Sequence, residues 1–312
     1  PVFDFGFFMK LFVASKILSF FITFLVAWAL LKKQEKATEW SESVVDFLKF
    51  ALPTIPIVAI GWLISGVDRI FIINHYSYHV LGFYSGIQTY LSKILLLLLV
   101  FTIVYPKIQT KWLDEQKIDL LTGSFKLYAQ VKDIIFWIAF ILLLGFHQPF
   151  FNSFIGLEAD PSQQSLVMIL LVGHFLYASL VQMNFVFYLS KKSNYILYAT
   201  SVAAGVNLLI NFLFINKSIF VPAIATVIAY AMAIGISYLK TRSFVRQTHL
   251  TGHLNINQLL FPMIACAFLV FEKIPTILFV VAAVLLLGFQ LIRTFNETKP
   301  AYLQIYNSLR SY

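Results

Sequence analysis

Four ionisable side chains stand out within strongly apolar runs of this chain: Lys16, Asp68, Arg69 and Lys93. Charges placed there cost roughly 2.5–3.5 kcal/mol each on insertion scales and mark function by default. Asp68 is the only carboxylate that the sequence places deep in such a run. If a proton or Na⁺ couples to transport within these segments, Asp68 is the group to carry it. Asp68 and Arg69 sit near one end of their run, and Lys93 lies a few turns into the next. At about 1.5 Å per residue their depths are similar, so a buried Asp68–Lys93 ion pair is expected. Lys16 is close enough to a run's end for its side chain to reach the interface.

The polar residues around these charges recur at helical spacing. Thr54, Gly61, Ser65 and Asp68 share one side of their segment, and Gly82, Gly86, Thr89 and Lys93 share one side of the next. Leu95, Leu98 and Leu99 lie on the opposite side. Two readings stand together: small residues let helices pack closely, and polar faces line a substrate or ion cavity. Asn207 and Asn211 are four apart on one face, suited first to hydrogen bonds with neighbouring helices and second to lining a cavity. Tyr177 with Asn184, and His174 with Gln182, decorate another segment in the same way.

The elements that must hold these residues are helices in a bilayer. Mean hydropathy is +0.82 and charged residues are 12% of the chain, against about 25% in a soluble domain. Backbone groups in hydrocarbon must pair internally, so apolar runs of about 20 residues become spanning helices. Nine are expected, at roughly 11–31, 50–73, 84–106, 133–148, 165–189, 195–215, 219–239, 257–272 and 275–293. The fold class is therefore an all-α polytopic membrane protein.

The net charge of +9 is distributed by topology. Every second gap is basic: Lys32, Lys33, Lys36 and Lys49; Lys107, Lys111, Lys117, Lys126 and Lys132; Lys191 and Lys192; Lys240, Arg242 and Arg246; then the tail with Arg293, Lys299 and Arg310. The alternate gaps hold only Lys217 and Lys273. Basic gaps stay cytoplasmic, so the first span runs from outside to inside. Nucleic-acid binding needs basic residues gathered on one surface with stacking aromatics, and this spread argues against it. Residues 40–49 and 107–132 suit surface helices, the second with Leu120, Leu121, Phe125 and Leu127 toward lipid. Residues 149–164, with Pro149, Gly156 and Pro161, read as an outer loop. The start at Pro1 and the inward first span suggest a fragment whose earlier spans are missing.

Other chemistries find no support. The single cysteine, Cys266, lies in a span and suits packing. His75/His79 and His249/His253 are pairs without the further ligands that zinc needs. No phosphate-binding Gly-Lys-Ser/Thr loop and no facing carboxylates occur, so neither an enzyme nor a cofactor is expected.

The segments Ala51–Ile72 and His79–Leu91, with Leu52, Pro53, Pro56, Trp62, the Asp68-Arg69 pair and the Gly82–Ser85 block, resemble the opening of the second lobe of Wzx-type oligosaccharide (O-antigen) flippases. These belong to the multidrug/oligosaccharidyl-lipid/polysaccharide exporter superfamily. Asn207–Tyr230 resembles a second block of that family through Asn207, Asn211, Ala223, Ala225 and Thr226, with Val221 and Pro222 in place of its usual glycines. The resemblance implies a last first-lobe helix and connector in 1–49, a MATE-like six-helix second lobe in 50–250, and two further helices with a tail in 251–312. It implies a flippase in the bacterial inner membrane, moving an undecaprenyl diphosphate-linked oligosaccharide to the outer leaflet for surface polysaccharide such as lipopolysaccharide. Arg69 and Lys93 would then meet the diphosphate. Membrane lipids, and a proton or sodium ion, are the other partners. The alternatives are a drug or metabolite exporter of the same superfamily, with a more aromatic and less cationic cavity, and an inactive truncated remnant. A membrane glycan polymerase would want large charged outer loops, which this chain lacks.

Overall fold

The computed structural model describes residues 51–145, 161–247 and 260–270, and most of a helical stretch at 280–291. All lie in Phe50–Tyr312, one of the two compact units into which the chain divides. Lys16, residues 40–49, most of the loop 149–164, and His249 and His253 fall outside the described residues.

Nine helices follow one another among these residues: α1 (Thr54–His75), α2 (Tyr78–Leu96), α3 (Leu99–Ile103), α4 (Tyr105–Asp114), α5 (Ile118–Gly145), α6 (Pro161–Leu189), α7 (Ser193–Phe214), α8 (Phe220–Gln247) and α9 (Leu260–Val270). No strand occurs among the described residues. Five stretches, Thr54–His75, Ile118–Gly145, Gln164–Leu189, Ser193–Lys217 and Phe220–Arg242, are long and apolar enough to cross a membrane. The protein is a multi-pass helical membrane protein.

Two expected segments have different bounds. The span placed at 84–106 begins at Tyr78, where Ser77 caps α2 by accepting from the Val80 N–H at 3.4 Å. It then breaks at Leu97–Leu98, where short i→i+3 bonds replace the helical pattern: Leu97 N–H to Ile94 O at 3.2 Å and Leu98 N–H to Leu95 O at 3.0 Å. α2 is not among the five apolar stretches, because Ser85, Gln88, Thr89, Ser92 and Lys93 dilute it. The span placed at 133–148 begins fifteen residues earlier, at Ile118. The lipid-facing surface helix expected within 107–132 is thus corrected: Leu121 and Phe125 are fully buried in the bundle. They belong to a stripe, Leu121–Phe125–Tyr128–Lys132–Phe136–Phe140–Leu143, that keeps helical phase through the whole of α5.

α6 is the most enclosed of the five apolar helices. α5 packs on one side of it through Tyr128, whose hydroxyl donates to the Ala178 carbonyl at 3.0 Å, and through Gln182, whose amide donates to the Phe125 carbonyl at 3.1 Å. Phe261 of α9 closes that side, meeting Phe136, Trp137, Phe140 and Phe175 at centroid distances of 4.7–6.0 Å. Without a hydrophobic force between helices in lipid, such packing and interhelical hydrogen bonds are what hold a bundle together.

The turns gather the basic residues at one end. α4 and α6 both stop at a residue with positive φ, Gln116 (57°) and Lys191 (55°). In each, the next N–H reaches back to close the helix: Lys117 to Trp112 O at 2.8 Å and Lys192 to Phe187 O at 2.9 Å. Glu115 accepts from Lys117 at 2.6 Å, with Lys111 at 3.6 Å. The Lys117 bond, aided by the Lys111 charge, holds its carboxyl below the usual carboxylate range. Lys117, Lys126, Lys191, Lys192, Lys240 and Arg242 are exposed. The antiparallel run of the helices puts them at the end opposite the Tyr76–Ser77 turn and Lys217.

Positive charge is retained on the cytoplasmic side. In intact cells a membrane-impermeant maleimide should therefore label a cysteine at Tyr78, which is 81% exposed, and spare one at Lys192 until the membrane is opened. The opposite pattern would invert the orientation.

Candidate functional site

Asp68 is fully buried, and four helices meet at it. Its Oδ2 accepts from the Tyr84 hydroxyl of α2 at 2.9 Å and from the Thr226 hydroxyl of α8 at 2.9 Å. Its Oδ1 accepts from the Asn211 amide of α7 at 3.1 Å. Asn207, one turn before Asn211, donates to Thr226 Oγ at 3.1 Å, and its side-chain oxygen accepts from Asn211 at 3.2 Å. The asparagine pair therefore ties α7 to α1 and α8, with the Asn211 side-chain oxygen left buried without a partner. Every donor to the carboxylate is neutral, and no ion pair to Asp68 occurs among the described residues.

Lys93 does not join this cluster, and the expected Asp68–Lys93 pair is corrected. α1 and α2 form a tight antiparallel hairpin, and Asp68 lies about two turns from the Tyr76–Ser77 link. The residue of α2 at that depth is Tyr84. Lys93 is nine residues beyond, about 13 Å along the axis and on the opposite face, where it is exposed. The depth estimate failed because α2 starts at its Ser77 cap and not where its strongly apolar residues begin.

Beside the Asp68 cluster is a cavity of about 570 Å³ bounded by α1, α2, α6, α7 and α8. Arg69, Ser65 and Thr89 line it; Lys93, Asn207 and Asn211 do not. The Arg69 guanidinium donates to Gln88 Oε1 at 3.2 Å, and the Gln88 amide donates to the Ser65 carbonyl at 3.2 Å. Gln88 thus fixes the direction of Arg69 while Arg69 itself stays exposed. Thr226 faces the cavity and also holds Asp68, so the carboxylate is one side chain away from the cavity wall. His174, Tyr177 and Asn184 of α6 line the opposite wall. Gln182 points away from it and bonds α5.

A buried charge pair elsewhere in the bundle escaped sequence reading. Lys132, assigned to a cytoplasmic gap, is 0% exposed, and Asp133 is 7% exposed. Asp68 is therefore not the only deep carboxylate. The Lys132 ammonium donates to Ser179 Oγ at 2.7 Å, lies 4.3 Å from the Phe175 ring centroid and is 3.6 Å from Asp133 Oδ1. Ser179 passes its own proton to the Phe175 carbonyl at 2.9 Å. Consecutive residues of a helix do not face each other, so the ion pair is long. The available signal was phase: Lys132 falls on the buried stripe of α5.

The chain matches no protein-family model, no curated protein and no solved structure.

Two stability measurements test these clusters, each read as thermal aggregation midpoint in detergent. Asp68→Leu leaves the buried Tyr84 and Thr226 hydroxyls without their acceptor, each worth about 1–3 kcal/mol, while Asn211 keeps its acceptors on Asn207, and should lower the midpoint most. Asp68→Asn should be milder, and Lys93→Met close to wild type; a Lys93→Met loss equal to that of Asp68→Asn would restore the ion pair. Lys132→Met alone should cost about 3–5 kcal/mol by stranding Asp133, and Lys132→Met with Asp133→Leu should recover much of it. Additive losses in the double variant would show that the two charges are independent.

Proposed function

We propose that this protein is a flippase that moves a lipid-linked oligosaccharide, carried on undecaprenyl diphosphate, from the cytoplasmic to the outer leaflet of a bacterial inner membrane. The observation that carries the reading is the cavity within the bundle, walled by Arg69 and a polar face of α6, in segments whose residues resemble Wzx-type flippases. A glycan diphosphate needs a wet, cationic path while its lipid tail stays in the bilayer. Arg69 offers that cation: its guanidinium is held by Gln88 on one side and open on the others. A planar guanidinium suits phosphate oxygens bidentately. Lys93, exposed and away from the cavity, is no longer part of this site.

In this reading α1, α2 with α3, α5, α6, α7 and α8 are the six helices of a MATE-like second lobe. The chain as a whole carries about nine spans, with the last first-lobe helix before them and two C-terminal helices after. The lobes rock about the site in alternating access. Asp68 is the group through which a proton or sodium ion couples, since Thr226 links it to the cavity wall.

One observation favours a drug or metabolite exporter instead. The cavity wall is rich in aromatics, with Trp62, Tyr177, Phe185, Tyr188 and Tyr230. The two readings separate at Arg69. Export of lipid-linked glycan, scored as its outer-leaflet fraction at matched membrane abundance, should fall about tenfold or more in Arg69→Ala, and Arg69→Lys should restore it only in part, because lysine keeps the charge but loses the fork. Normal glycan export by Arg69→Ala, together with slower accumulation of an aromatic cation such as ethidium in cells that carry the protein than in cells that lack it, would favour the exporter.

A further inference from the structure

The side of α6 that faces the cavity has a regular composition. His174, Tyr177, Val181, Asn184 and Tyr188 follow at alternating steps of three and four residues and all line the cavity. That spacing places them in one stripe along the helix. From His174 to Asn184 it runs about 15 Å at 1.5 Å per residue.

Two groups of this stripe are committed as acceptors. The Asn184 side-chain oxygen has no hydrogen-bond partner in the protein and is covered by its neighbours, so a turn of its side chain is needed to present it to an occupant of the cavity. Leaving a buried acceptor unpaired is unfavourable, and native structures rarely do so without reason. The His174 Nδ1 lies 2.8 Å from the Leu170 carbonyl. A carbonyl only accepts, so Nδ1 carries the proton and Nε2 presents a lone pair. Between them lies Tyr177, whose ring packs at 5.4 Å against that of Tyr230 across the cavity. On the facing wall, Gln88 is already used at both ends of its amide, by Arg69 and by Ser65. It therefore adds orientation there and no free acceptor.

An occupant that satisfies this wall must supply O–H or N–H donors at two places about 15 Å apart, with flat faces between them to lie on aromatic rings. A hydrophobic cation offers few donors, and a single sugar ring is too short to reach both. We propose that the His174–Tyr177–Asn184 stripe of α6 is the glycan-reading wall of the cavity, taking a chain of several sugars through hydroxyl or acetamido donors. This rests on the flippase reading and deepens it: Arg69 meets the phosphate and α6 meets the sugars.

The test is binding of N-acetylglucosamine trimer to the full-length protein in nanodiscs, followed by quenching of Trp62, which lines the cavity and is 69% exposed. A Trp62→Phe control assigns the signal. The wild type should show saturable quenching by the trimer and much weaker quenching by the monomer at equal concentration. Asn184→Leu should weaken trimer binding by about tenfold, the scale of one lost hydrogen bond with its partner left buried. Asn184→Asp keeps the acceptor and should stay within about threefold of wild type. His174→Leu should weaken binding as Asn184→Leu does. Trimer affinity unchanged in Asn184→Leu, or no saturable binding by folded wild type, overturns the proposal. Scoring glycan export in the same variants separates the two ideas. Normal wild-type export without Asn184-dependent trimer binding removes the sugar wall and leaves the flippase. Asn184-dependent trimer binding without any export keeps the sugar wall and removes the flippase.

Discussion

A carboxylate sealed from solvent must be given donors, and that requirement organises the helices around Asp68. Burying it without hydrogen bonds would be prohibitive, so the bundle brings it a tyrosine, a threonine and an asparagine from three different helices. Each donor is in turn placed by its neighbours. Thr226 is oriented by Asn207, and Asn211 by the carbonyl and side chain of Asn207. Movement of any one of α1, α2, α7 or α8 relative to the others breaks a bond to the same group. The cavity wall formed by α1, α2 and α8 inherits its rigidity from this point.

The Lys132 cluster does for α5 and α6 what Asp68 does for the other helices, with a different balance. Here the cation is the better satisfied member, through a serine, an aromatic face and a carboxylate. α6 therefore separates two polar systems. One face turns Phe175 and Ser179 to the Lys132 ammonium, and the other turns His174, Tyr177 and Asn184 to the cavity. A helix with so little overall amphipathic bias carries two polar stripes and still reads as uniformly apolar.

Much of this was legible from residue spacing, and the failures have identifiable causes. The helices at Thr54–His75, Pro161–Leu189 and Ser193–Phe214 follow their apolar runs closely. Asp68 stood out because a lone acid in such a run is conspicuous, and Asn207 and Asn211 because their spacing puts them on one face. Lys93 misled because its segment was bounded by hydropathy, whereas the helix is bounded by the Ser77 cap. Lys132 and Asp133 were hidden because charge was read as a boundary signal. A stripe of large apolar residues continuing in phase through Lys132, back to Leu121, is the stronger evidence for a buried helix. The unpaired oxygen of Asn184 could not be seen at all, since only tertiary packing decides which polar groups find partners.

The bonds at Asp68 also differ in how far apart they lie along the chain. Tyr84 is 16 residues away, and the Asn207–Thr226 bond spans 19, whereas Asn211 and Thr226 are 143 and 158 residues from the carboxylate. Two helical hairpins, α1–α2 and α7–α8, can each close their own polar contact before they meet. Local contacts close first because short loops lose least entropy. Asp68 therefore enters the bilayer with one partner already in place and waits for the rest of the chain to be made. Until α7 and α8 arrive, the oxygen that Asn211 will bind lacks its final donor, so the α1–α2 hairpin by itself leaves the carboxylate half satisfied.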